Sequence, residues 1–126
     1  MGALLRKRDL LPELILSSTA VRARATVELV IQESLFDGKT EFREELYAFD
    51  PEPYLKALAE VPDPYQRVMI VGHNPALEEL LEALTGEYQP LPTAALAQVE
   101  LPIERWSEID KGGIGKLVDL WRPKDL

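Results

Sequence analysis

Two short apolar runs, Leu14-Ile15-Leu16 and Val68-Met69-Ile70-Val71, are unbroken by any polar residue. A strand with one wet face alternates polar and apolar residues. An unbroken run predicts a strand covered on both faces, as in a parallel sheet with helices laid over it. Each run leads into a helix start. Ser17-Ser18-Thr19 follow the first and offer N-cap hydroxyls, after which Val21, Ala25 and Leu29, with Val30 on the flank, predict a helix over 20–34. Gly72-His73-Asn74-Pro75 follow the second, with Asn74 as cap and Pro75 as the first helical residue. Leu77, Leu80, Leu81 and Leu84 then carry that helix to Gly86.

The intervening segments follow the same grammar. Met1 to Arg8 reads as the end of an amphipathic helix with no N-terminal cap, its basic residues placed where a helix C-terminus favours them. Asp37-Gly38 is a turn, and 39–47 is ambiguous between a loop and a short strand ending in Glu45-Leu46-Tyr47. Asp50-Pro51 opens a helix through Tyr54, Leu55, Leu58 and Val61, broken by Pro62-Asp63-Pro64. Ala94 to Leu101 and Leu117 to Trp121 read as strands, the second beyond a Gly112-Gly113 turn. Strands alternating with helices predict one α/β domain, which suits 126 residues, with a mixed or antiparallel end supplied by the last two strands.

Composition narrows the chemistry. Lys plus Arg number 14 against 22 Asp plus Glu, a net charge of −8, so nucleic acid is not the expected partner, and Arg6-Lys7-Arg8 is too short a basic run to change that. There is no cysteine, which excludes disulfides, thiolate metal sites and a cysteine nucleophile. His73 is the only histidine, so one chain cannot build a multi-histidine metal site, and no metal or cofactor is expected. No apolar stretch approaches the ~20 residues that span a bilayer, and no signal-peptide pattern opens the chain. The expected compartment is the cytoplasm, away from membranes.

The two strand-to-helix junctions are where chemistry can gather, because ligands of open α/β sheets collect beyond the carboxyl ends of parallel strands. Unpaired N–H groups at a helix start favour an anion. Arg22, in the first turn of the first helix, adds a permanently charged fork suited to phosphate oxygens, and His73 adds a proton donor or a positive charge. Together they predict a site for a small phosphate-like anion. Each piece has a plainer reading beside it. An arginine in a first helical turn is most often a solvated surface residue, and a lone histidine between strand and helix is more often hydrogen-bonded structure. Arg24 points away from Arg22 on a helix and reads as surface. Glu44-Glu45 offers a general acid or an exposed strand edge, and Thr93 a hydrogen-bond donor or a turn cap. Trp106 and Trp121 read as core or core-edge packing.

The stretch Leu14 to Thr26 resembles the second motif of the histidine phosphatase superfamily, in its small SixA-type phosphohistidine phosphatases. That motif is a strand, a serine, then an Arg-Ala pair and a threonine on a helix, and Ser18, Arg22, Ala23 and Thr26 fit it. Thr19 stands where the family commonly has proline, and Ala25 where it has glutamine. Val68 to Pro75 resembles the family's later histidine motif, the most specific part of the likeness. The helix ending in Thr85-Gly86, the Leu91-to-Ala95 strand entry and the closing Arg122 to Leu126 are similar as well. The resemblance implies a three-layer α/β/α sandwich of the phosphoglycerate-mutase type, working without a metal. A histidine in an N-terminal Arg-His motif attacks phosphorus, and water then releases phosphate. It implies that Arg22 holds phosphate oxygens, with Ser18 and Asn74 as junction supports, and that His73 stabilises charge on the transferring group. Glu45 falls near where related enzymes carry an acid. The implied partner is a phosphorylated protein or a small phosphate compound.

No Arg-His pair occurs in the sequence, and His73 belongs to the later motif. The resemblance therefore predicts a domain lacking the family's first strand and its nucleophile, with an apolar sheet edge left open. Three readings follow: a phosphatase whose true start lies upstream, a remnant that binds phosphate or a phosphoprotein without turnover, and a homodimer in which another chain completes the sheet. The first agrees best with the uncapped first helix and the missing strand.

Overall fold

The computed structural model describes residues 2–7, 10–92, 95–111 and 115–122. Thr93, Arg8, the Gly112-Gly113 turn and the closing residues after Arg122 lie outside that set. The order of elements is α1 (Gly2–Lys7), β1 (Leu14–Ser18), α2 (Val21–Ser34), β2 (Lys39–Arg43), a 3-10 turn (Glu44–Leu46), α3 (Glu52–Ala59), β3 (Val68–Val71), α4 (Ala76–Thr85), β4 (Leu96–Glu100), a second 3-10 turn (Trp106–Lys111) and β5 (Lys116–Trp121). They fall into two compact units, Met1–Ala48 with Pro64–His73, and Phe49–Asp63 with Asn74–Leu126. No helix among the described residues is long and apolar enough to cross a membrane.

The first unit is a parallel three-stranded sheet in the order β2-β1-β3. β1 is central. Leu14 pairs with Lys39 on one side and Val68 on the other, and the register runs unbroken from there. All five β1 residues are buried, as its unbroken apolar run predicts, and burying Leu14, Ile15 and Leu16 contributes roughly 1.5–3 kcal/mol each. β3 differs from expectation: Val68, Met69 and Ile70 are only half-buried. The cause is topological, because among the described residues β3 pairs only with β1. The Asp37-Gly38 turn is set by close approach, since a β-carbon on Gly38 would sit 2.5 Å from the Glu13 carbonyl oxygen and 2.7 Å from the Phe36 ring.

α2 packs on β1 and α1 packs on α2, but the face is not the predicted one. Val21 and Leu29 are 82% and 56% exposed, and Ala25 is exposed as well. The buried stripe is Ala23, Val27, Val30 and Ser34. Both stripes have helical spacing, and close packing selects the one with small residues. A β-carbon on Gly2 of α1 would lie 2.8 Å from the Val30 carbonyl oxygen, so a bulky side cannot face α1. Ser34 is tolerated in that interface because its hydroxyl donates to the Val30 carbonyl.

The predicted caps also move. The N-cap positions of α2, α3 and α4 are Ala20, Pro51 and Pro75, without side-chain cap bonds, so Thr19, Asp50 and Asn74 do not cap, and the Asn74–Pro75 bond is cis. Glu44–Leu46 form a 3-10 turn, not the end of a strand, because Leu46 turns inward to full burial. In the second unit α3 and α4 pack together, and α4 also meets β4 and β5, with Tyr54, Leu80, Leu81 and Ile109 buried. Trp121 is buried and Trp106 half-buried. Among the described residues β4 and β5 form a two-stranded antiparallel sheet of their own.

Candidate active site

Parallel strands end on the same edge, so the segments leaving β1, β2 and β3 meet beyond their carboxyl ends. Ser18 closes β1, and Gly72-His73 follow β3 directly. The His73 Nε2 lies 2.8 Å from the Ser18 Oγ. This contact joins the two junctions that carry the sequence motifs. Ser18 is fully buried, so its hydroxyl needs partners. Its oxygen accepts from the Ala20 N–H at 3.2 Å, while the neighbouring Ser17 hydroxyl donates to the Ser18 carbonyl at 2.9 Å. Toward His73 the bond runs in either direction: the hydroxyl donates to a bare Nε2, or accepts from a protonated one.

Tyr47 completes the cluster. It follows the 3-10 turn after β2, and its N–H donates to the Glu44 carbonyl at 3.0 Å. Its ring lies against His73 with centroids 5.0 Å apart and planes tilted by 32°, within the range of favourable aromatic pairs. In the sequence Tyr47 reads only as the end of a short strand. An aromatic residue two positions after the Glu44-Glu45 pair, just beyond the carboxyl end of β2, was the available signal.

Arg22 lies in the first turn of α2 and is exposed. Among the described residues its guanidinium has no ion-pair or hydrogen-bond partner, so its charge is available to a ligand. Arg24 is exposed too, yet it is held: Nε donates to the Thr19 carbonyl at 3.1 Å, and the guanidinium lies 4.2 Å from the Phe42 ring centroid. Glu45 sits 3.6 Å from Arg43, which also bonds Glu41 at 3.0 Å. That bond from Arg43 is the main reason the Glu41 carboxyl titrates below the ordinary glutamate value. Asn74 belongs to the second unit, where its amide donates to the Leu91 carbonyl, while Glu78 accepts from the Leu91 N–H at 2.7 Å. The structure thus sets Ser18 and Tyr47 each against His73, leaves Arg22 without a side-chain partner among the described residues, and gives Glu45 and Asn74 other partners.

No family model matches the chain. Among solved structures it is similar to a protein from Agrobacterium tumefaciens assigned as phosphohistidine phosphatase SixA, with 31% identity and a TM-score of 0.80, over 97% of this chain and 75% of that one. A protein from Nakamurella multipartitia with the same assignment superposes with a TM-score of 0.79 at 22% identity, over 97% and 77% of the two chains, a likeness of fold. An uncharacterised protein from Mycobacterium leprae is 34% identical over 74 residues, 59% of this chain and 44% of that relative, so the match spans less than half of the curated relative's length.

Proposed function

The chain belongs to the SixA-type family of the histidine phosphatase superfamily, and from this we propose that it is a phosphohistidine phosphatase-like protein whose phosphoryl group is recognised at the carboxyl edge of β1 and β3. The observation that carries the reading is the His73–Ser18 contact at 2.8 Å, which joins the two motif junctions, with Arg22 in the first turn of the helix that follows Ser18. In this reading Arg22 holds two phosphoryl oxygens through its planar fork. His73 donates to the oxygen that gains charge, and its position is set by Ser18 and Tyr47. Asn74 supports the junction through the Leu91 loop rather than by touching the ligand. The proposed partner is a protein carrying phosphohistidine.

The full reaction needs a nucleophilic histidine besides His73, and it is proposed for a chain that carries one. A histidine nitrogen attacks phosphorus, the bond from phosphorus to the substrate's imidazole nitrogen breaks, and a proton passes to that nitrogen. Water then cleaves the enzyme's own N–P bond and releases phosphate. Glu45 is the proposed proton source, and it matters less for an imidazole than for an alkoxide because imidazole is the better leaving group. The sequence holds one histidine, and that histidine is bonded to Ser18. This favours a second reading for these 126 residues alone: binding without turnover.

The test has two parts. Inorganic phosphate titrated into the protein is expected to shift the imidazole proton resonances of His73 saturably, and Arg22→Ala to weaken that binding about tenfold. A chain that also carries the N-terminal Arg-His motif is expected to release phosphate from a phosphohistidine peptide, and to lose the activity in Arg22→Ala and His73→Ala. Turnover that survives His73→Ala would overturn the mechanism.

A further inference from the structure

Tyr47 is placed by its neighbour and not by its own burial. Leu46 is fully buried and pins the 3-10 turn after β2, and the Tyr47 N–H closes that turn on the Glu44 carbonyl at 3.0 Å. The ring that results is fixed at its base yet 59% exposed. Tyrosine is large enough to contribute substantially to a core when buried, so a ring held rigidly in water contributes little to this fold. One part of it lies against His73, at 5.0 Å between centroids. The rest is open to solvent. An aromatic surface that is preorganised and left open is suited to recognition, because little further ordering is needed when a ligand meets it.

We infer that Tyr47 is a specificity-determining residue: the wall on which a planar aromatic ring carrying the phosphoryl group stacks. This rests on the phosphate reading of the site given above. Tyr47 and His73 are adjacent, so a ring stacked on the open part of Tyr47 brings the group at its own edge to the His73 side. Alkyl phosphates have no face to offer, and the site selects imidazole-linked or aryl-linked phosphoryl groups over them. The same contact makes Tyr47 a positioning residue for His73, whose ring it covers on one side while Ser18 fixes its edge at 2.8 Å.

The test uses non-hydrolysable ligands and the resonances of His73, unambiguous because the sequence has one histidine. Methylphosphonate, phenylphosphonate and a peptide bearing a phosphoryltriazole side chain are titrated into wild type, Tyr47→Phe and Tyr47→Leu. Wild type is expected to bind phenylphosphonate about fivefold more tightly than methylphosphonate. Tyr47→Phe keeps that ratio, and Tyr47→Leu brings it below about twofold. A gain for the peptide that depends on Tyr47 identifies a protein phosphohistidine as the source of the ring. A gain confined to phenylphosphonate identifies a small aryl phosphate, and both results support the wall. An undiminished ratio in Tyr47→Leu, or equal binding of all ligands by wild type, overturns the wall and leaves the phosphate site standing. Wild type that binds none of the ligands overturns both.

Discussion

Leu35 caps α2 with φ 59° and ψ 34°, a left-handed conformation that costs a side-chain-bearing residue about 1–2 kcal/mol. Its side chain is 67% exposed and returns little by packing. Leu35→Gly is therefore expected to raise stability by about 1 kcal/mol in urea unfolding. Ser18 gives the opposite case. Its buried hydroxyl serves both the Ala20 N–H and His73, and Ser18→Ala is expected to cost about 2 kcal/mol and to move the His73 resonances without added ligand. Arg22 and His73 could be picked from the sequence because a strand, a hydroxyl run and a helix start make a local pattern. The restraint on Arg24 could not, since its partner Phe42 comes from β2 and only the packed fold brings helix and strand together.

At the scale of elements, the two apolar runs announced β1 and β3, and the leucines of α4 announced its buried face. The face of α2 was hidden because Val21-Ala25-Leu29 and Ala23-Val27-Val30 have the same period, and the choice belongs to the neighbouring helix. Leu29→Gln is expected to change stability by no more than about 0.5 kcal/mol, and Val27→Ala to cost about 2 kcal/mol. The opposite ranking would return α2 to the face predicted from its sequence. On β2, the Arg43 bond lowers the Glu41 pKa. A lowered folded value means that the stabilisation is present above the ordinary glutamate value and is lost as the pH falls through the lowered one. Arg43→Gln is thus expected to cost under about 1 kcal/mol near neutral pH. In paired urea titrations that difference from wild type vanishes in strong acid. The 3-10 turn before Tyr47 escaped reading because Glu45-Leu46-Tyr47 alternates as a strand does, and only the inward Leu46 separates the two.

For the whole molecule, alternation of strands and helices was enough to predict an α/β protein with a parallel sheet. It was not enough to predict the order β2-β1-β3, because either neighbour of β1 satisfies the same pattern. Nor did it predict that β4 and β5 would form a ladder of their own. That order has a consequence in time. Leu14 pairs with Lys39 and with Val68, and the second pairing closes a stretch of chain about twice as long as the first, at a greater entropic cost. With loop closure setting the order, β1, α2 and β2 assemble early and β3 arrives late, bringing His73 to Ser18 with it. Completion of the three-stranded sheet and assembly of the proposed anion site are then one event, and partial unfolding that releases β3 takes that site apart while β1 and β2 stay paired.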